Sequence, residues 1–376
     1  MPHHINRRNW LKQSSLAAFG AGISLTSIAG EDRLPRNFGA DTGLINLGAN
    51  ENPYGISPKA KDAIKDAVNS YNRYQFNVSS LQSFRKELAD YFGVAEENLL
   101  AMAGSSQALD LLPRYFNKGN LVAAAPTFFI LPNTAKRIGM QVIEVPLTND
   151  KVHDLPAMLS AINNQTQLVY IVNPANPTAT IVNSDALKSF CMEASKKATV
   201  LVDEAYIDFV DPPNNQSMMS LVASNPNIIV MRTFSKIHGM AGLRVGCIMA
   251  HASLIMKLED DFFNDTQVCI SNPAIVAAMA SMKDEEHRKT TKEKNAAAKQ
   301  YTYNALTQIN LRCIPSYTNF MFFKLNNYAG DFSKDMLEKN ILLRSNTYSD
   351  GKWARVSIGT MDEMKQFISV MKEMKF

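Results

Sequence analysis

Between residues 121 and 250, short β-rich runs alternate with stretches long enough for a helix, and that alternation most restricts what the chain can become. The candidate strands are 121–125, 141–145, 168–173, 200–203, 228–232 and 244–250, with helices such as 184–197 between several of them. Strands separated by helix-length segments need crossover connections, so they are expected to lie mostly parallel in one sheet flanked by helices. The fold class is therefore α/β. In an open sheet of this kind ligands sit beyond the carboxyl ends of the strands. The residues just after each run are the ones to read for chemistry.

Upstream, residues 44–47 read as a short strand leading into Asn50-Glu51-Asn52-Pro53-Tyr54-Gly55, followed by helical periodicity over 58–68 and 80–92. From about residue 271 the texture changes to a long charged helix through 283–299, with strands near 320–324 and 354–358. With 376 residues and 46% apolar side chains, the chain is long enough for two cores. The division predicted is an N-terminal segment over 1–29, an arm over 30–57, a large domain over 58–270 and a small C-terminal domain over 271–376. The 39 basic and 35 acidic residues are interspersed, and no Lys/Arg block suggests a nucleic-acid partner. Cys191, Cys247, Cys269 and Cys313 are far apart, and His153, His251 and His287 stand alone, so no metal spacing is present.

Three strand ends are suggestive together. Run 168–173 leads into Asn176-Pro177-Thr178, run 200–203 ends in Asp203-Glu204-Ala205-Tyr206, and run 228–232 leads into Ser235-Lys236, with Gly242-Leu243-Arg244-Val245-Gly246 beyond. In this order and spacing the series resembles the motifs of the fold-type I aminotransferases, over about residues 44 to 360. The Asn50–Gly55 stretch is similar to the signature of their histidinol-phosphate branch.

The resemblance implies pyridoxal phosphate (PLP) as cofactor and a large domain with a mostly parallel sheet beside a smaller α+β domain. Lys236 is the implied amine that holds the PLP aldehyde and later moves a proton, tasks that favour a buried lysine of lowered pKa. Asp203 is implied to keep the pyridine nitrogen protonated, so that the ring can act as an electron sink. Asn176 and Tyr206 match the residues that hydrogen-bond the phenolic oxygen. The phosphate calls for backbone amides at a helix start and a fixed cation; Gly104, Ser105 and Ser106 open a helical run, and Thr233, Ser235 and Arg244 match the remaining ligands. Phe128 occupies the place of the ring-stacking aromatic. Arg355 matches the arginine that forks onto a substrate carboxylate, and Arg344, helped by Tyr54, the one that grips a substrate phosphate. Tyr74 resembles the tyrosine that reaches the neighbouring subunit's cofactor, which implies a homodimer. The family usually has Gly where Ala179 stands; if that position needs positive φ, alanine costs on the order of 1 kcal/mol. Gln75 stands where proline usually follows Tyr74.

Transamination of histidinol phosphate with 2-oxoglutarate is the activity this branch implies. Alternatives that share the motifs are an aminotransferase for aromatic or other amino acids and a decarboxylase of the threonine-phosphate type. At the N-terminus, Arg7-Arg8-Asn9-Trp10-Leu11-Lys12 precedes a mild apolar run ending in Ser27-Ile28-Ala29, which resembles a twin-arginine export signal with a small-x-small cleavage site. That run is too short and too rich in Gly, Ser and Ala for a membrane span. Export of an already folded protein suits an enzyme that must acquire its cofactor in the cytoplasm.

Overall fold

The computed structural model describes residues 43–73, 78–263 and 270–376. The N-terminal segment with the twin arginines, Tyr74, Gln75 and Cys269 lie outside the described residues. Thirteen strands are present among those described. In chain order they are β1 (Ile45–Asn46), β2 (Leu99–Met102), β3 (Asn120–Ala125), β4 (Gln141–Pro146), β5 (Thr166–Val172), β6 (Thr199–Asp203), β7 (Ile228–Thr233), β8 (Gly246–Ala250), β9 (Cys313–Ile314), β10 (Phe320–Lys324), β11 (Ile341–Leu342), β12 (Arg344–Tyr348) and β13 (Gly351–Ser357).

The central sheet has the order β2-β8-β7-β6-β5-β3-β4. The pairs among β3 to β7 are parallel, while β8 runs antiparallel to both neighbours, β2 and β7. The sheet is thus mostly parallel, as the alternation predicts. The middle strands read as continuous apolar runs because both of their faces are covered. Val169 and Ile171 of β5 enter one core with Val200, Val202, Ile228 and Val230, whereas Leu168, Tyr170 and Val172 enter the core on the opposite face with Leu201, Ile229 and Met231. This is the two-residue alternation of a strand, satisfied on both sides. Helix Asn272–Met282 packs on the first core, and helices Ser105–Tyr115, Ile130–Arg137 and Ala252–Phe262 cover the second.

A second, antiparallel sheet has the order β12-β13-β10-β9. It packs with helices Glu285–Gln308, Phe332–Glu338 and Met361–Glu373 in a separate core that includes Leu306, Phe323, Phe332, Val356 and Phe367. The charged helix starts later than its periodicity suggests: Lys283 and Asp284 separate it from the preceding helix, and the Asp284 carboxylate caps the His287 amide at 3.4 Å. The predicted strand over 244–250 likewise starts at Gly246, because Arg244 is left-handed (φ 57°, ψ 69°) and breaks the extended run.

The stretch after β1 ties these parts together within the compact unit Ile45–Phe376. β1 pairs in parallel with β11, the Ser357 amide at the end of β13 donates to Leu47 O (2.8 Å), and the Asn52 side chain donates to Ile237 O (3.0 Å). Among the described residues no helix is long and apolar enough to cross a membrane.

Candidate active site

The reversed direction of β8 builds half of the site. Its first residue, Gly246, sits opposite both Met102, the last residue of β2, and Thr233, the last residue of β7. Arg244, two residues earlier, is thereby delivered between the segments that follow those strands. Its guanidinium donates to Ser106 Oγ (3.3 Å), Ser235 Oγ (3.4 Å) and Ala241 O (2.8 Å). Thr233 Oγ1 donates to Ser235 Oγ (3.0 Å) and accepts from the Ser235 amide (3.1 Å). Gly104 is the N-cap of helix Ser105–Tyr115 with φ 80°, and no side chain caps that helix. Two glycines keep this corner open: a Cβ on Gly104 would fall on the Arg244 guanidinium, and one on Gly246 would fall on the Ser105 amide nitrogen. Helix-start amides, hydroxyls and a fixed guanidinium together suit an anionic group.

The other half gathers around Lys236. Its Nζ donates to Asn50 O (3.0 Å) and lies 5.5 Å from the centre of the Tyr206 ring. Burial, and next the Arg355 charge, lower its pKa from 10.5 to about 8. Asp203 ends β6 and is buried, accepting hydrogen bonds from the Tyr170 hydroxyl (3.1 Å) and the Ala205 amide (3.1 Å). Burial pushes its carboxyl up to about 6, against the pull of those two donors. Tyr206 accepts from the side-chain amides of Asn50 (3.0 Å) and Asn176 (3.3 Å), and burial raises its phenol to about 12. Arg355 donates to Asn176 Oδ1 (2.8 Å) and Gly48 O (2.6 Å) and stacks over Phe320 at 5.6 Å.

Arg344 sits directly across the β12–β13 pair from Arg355 and donates to the same Gly48 carbonyl at 3.4 Å. Tyr54 is half-buried, with Lys294 Nζ 5.1 Å from its ring centre. Phe128 follows the end of β3 and packs beside the second core, its ring 5.2 Å from that of Phe129. Lys236, Asp203, Tyr206, Asn176 and Arg355 are thus one cluster, and Gly104, Ser105, Ser106, Thr233, Ser235 and Arg244 the adjoining one. Phe128 and Tyr54 are placed instead by their own neighbours, Phe129 for the first and Asn52 and Lys294 for the second.

Five participants carry no role in the sequence reading, although Asn50 and Glu204 stand inside its motifs. Tyr170 supports Asp203 from the neighbouring strand. Asn50 and Asn319 meet at the Asn50 carbonyl, where Asn319 Nδ2 donates at 3.0 Å. Glu204 and Arg232, each next to a predicted site residue, form a buried ion pair (Nε to Oε2, 2.8 Å) that also takes in Ser217 Oγ and the Met218 amide. Their only sequence signal is a charged residue inside an otherwise apolar strand end. Ala179 adopts φ 63° while fully buried, so the position does require the conformation that glycine takes most easily.

The family profile Aminotransferase class I and II matches residues 42–371. A histidinol-phosphate aminotransferase from Brevibacillus brevis is 37% identical over 347 residues, covering 91% of this chain and 93% of that protein. One from Moorella thermoacetica is 35% identical over 336 residues, covering 88% and 85%. Among solved structures, histidinol-phosphate aminotransferase from Sinorhizobium meliloti in complex with pyridoxal-5'-phosphate shares the fold, with a TM-score of 0.81 at 23% identity over 88% of this chain and 90% of that one. The chain belongs to the class I and II aminotransferase family.

Proposed function

We propose that the protein is a PLP-dependent aminotransferase that acts on histidinol phosphate with 2-oxoglutarate as amino acceptor. The observation that carries this reading is the joining, through adjacent Ser235 and Lys236, of an anion-binding corner to a half-buried amine that faces Tyr206 and the Asp203 charge. The donor set fits the cofactor: an amine for its aldehyde, a buried carboxyl for its ring nitrogen, and hydroxyls, amides and a guanidinium for its phosphate. When bound, PLP supplies the aldehyde that takes the donor's amine and a ring that accepts the electron pair left by the Cα proton.

The chain's own residues do the rest. Lys236, with its lowered pKa, is able to be neutral near physiological pH and so to take a proton from the substrate and return it. Asp203 holds the ring nitrogen's proton, and Tyr170 and Ala205 fix its two oxygens. Ser105, Ser106, Thr233, Ser235 and Arg244 hold the phosphate, with Gly104 leaving them room; Asn176 and Tyr206 address the phenolic oxygen, and Phe128 stacks on the ring. Arg355 takes a carboxylate. Arg344, with Tyr54, takes the phosphate of the amino donor. Like charges directly opposite across a strand pair cost stability, so the Arg344–Arg355 pairing favours acidic ligands.

A spectrophotometric screen of amino donors tests the reading. Histidinol phosphate is expected to outrank phenylalanine, and Arg344→Ala to cost it roughly 2 to 4 kcal/mol in transition-state binding while affecting phosphate-free donors far less. A preference for phenylalanine, or equal losses, would leave a general aminotransferase; release of carbon dioxide would indicate a decarboxylase. The separate cores support a large domain and a smaller C-terminal one, but helix Asn272–Met282, which the division at 270 puts in the small domain, packs on the large core. The sequence of Tyr74 supports a homodimer, and Arg7-Arg8 supports export by the twin-arginine route.

A further inference from the structure

Asn50 uses every polar atom it has, and it uses them on the site. Its backbone is left-handed at φ 55° and its side chain is buried. The amide N–H donates to Ser357 Oγ (2.8 Å), and Oδ1 accepts from that hydroxyl (3.2 Å). The carbonyl accepts from both Lys236 Nζ (3.0 Å) and Asn319 Nδ2 (3.0 Å). The side-chain amide donates to the Tyr206 oxygen (3.0 Å), which also accepts from Asn176 (3.3 Å). Side-chain amide nitrogens only donate. Two of them on one phenol oxygen occupy its acceptor capacity and turn the O–H outward.

The charged groups around Tyr206 leave that proton little choice. Lys236 and Arg355 are donors, and the Asp203 carboxylate, which accepts from Ala205 and Tyr170, acts on Tyr206 through its charge and not through a hydrogen bond. We propose that Asn50 is a positioning residue for the transamination: with Asn176 it fixes Tyr206 as a hydrogen-bond donor to an anionic oxygen of the ligand held at Lys236. The inference rests on the aminotransferase reading and deepens it. Asn50 would act through Tyr206 and not touch the reacting atoms.

Two substitutions separate this role from a structural one. Asn50→Gly tolerates the positive φ and keeps the carbonyl that meets Lys236 and Asn319, deleting the side-chain bonds to Tyr206 and Ser357. Asn50→Asp keeps the shape but presents an acceptor, which takes the Tyr206 proton for itself. The readout is the pH titration of the near-visible absorbance of the PLP-loaded protein, which follows the proton on the Lys236 nitrogen that bonds the cofactor. A donor on the neighbouring phenolic oxygen steadies its negative charge once that proton leaves, and so lowers the midpoint. Asn50→Asp is expected to raise the midpoint by on the order of one pH unit and Asn50→Gly by less.

The same two substitutions are then made in a Tyr206→Phe background. The Asn50→Gly shift should largely vanish there, because the hydroxyl that the side-chain amide orients is gone, whereas the part of the Asn50→Asp shift that comes from its new charge remains. Unchanged midpoints in both single variants, or an Asn50→Gly shift of the same size in the Phe background, would overturn the proposal. A wild type that shows no PLP absorbance tied to Lys236 would instead overturn the aminotransferase reading.

Discussion

Replacing Asp203 by asparagine should make the cofactor-free protein more stable at neutral and alkaline pH. Burial raises the Asp203 carboxyl from 3.8 to about 6 in the folded chain. The unfolded chain therefore releases this proton first, and stability falls as pH rises from about 3.8 to about 6, then levels off. The gap of about two units corresponds to about 3 kcal/mol of disfavoured charge at ~1.36 kcal/mol per unit. Asparagine removes that charge and keeps both contacts, since its oxygen still accepts from the Ala205 amide and its amide reaches the Tyr170 oxygen in the reverse sense. After a discount of about 1 kcal/mol for the altered hydrogen bond, Asp203→Asn is expected to gain roughly 2 kcal/mol above pH 7. Near pH 4 the gain should be close to zero. Urea unfolding of the cofactor-free wild type and variant at pH 4, 6 and 8 measures the difference. A gain that does not vary with pH, or a less stable variant at pH 8, would refute the argument that the folded chain stores an unfavourable charge for a cationic ring.

Arg232→Met should cost about 3 to 5 kcal/mol in the same unfolding assay, because it strands the buried Glu204 carboxylate, and adding Glu204→Gln should recover part of the loss. An additive double variant would show that the pair does not interact. Replacing Arg7 and Arg8 by lysines should retain the protein in the cytoplasm, since receptor reading of the signal is specific and not merely electrostatic; unchanged fractionation would rule out a twin-arginine signal.

How much of this was legible in the sequence depended on whether the information was local. β5, β6 and β7 stand out because double burial makes them unbroken apolar runs, and the structure brings the residues after them together. β2 is only four residues long and merges into the apolar stretch before Gly104. The direction of β8 has no local signature: Ile229 pairs with Ala250 and Thr233 with Gly246, a register set by the loop between them, in which Arg244 turns left-handed. The break at Lys283 and Asp284 hides inside a charged segment that reads as one helix. Asn50 is visible as part of a motif but not as a hub, because its partners stand 156 to 307 residues away. Ala179 could be recognised as a departure, whereas its positive φ became evident only in three dimensions.

Borohydride reduction of the PLP-loaded protein followed by peptide mapping tests directly whether Lys236 is the amine that holds the cofactor. A single phosphopyridoxyl label is expected on the peptide containing Ser235 and Lys236, and an Lys236→Ala variant should take no label and have no turnover yet still bind PLP noncovalently through Ser105, Ser235 and Arg244. A label on any other lysine, or turnover without Lys236, would contradict that role.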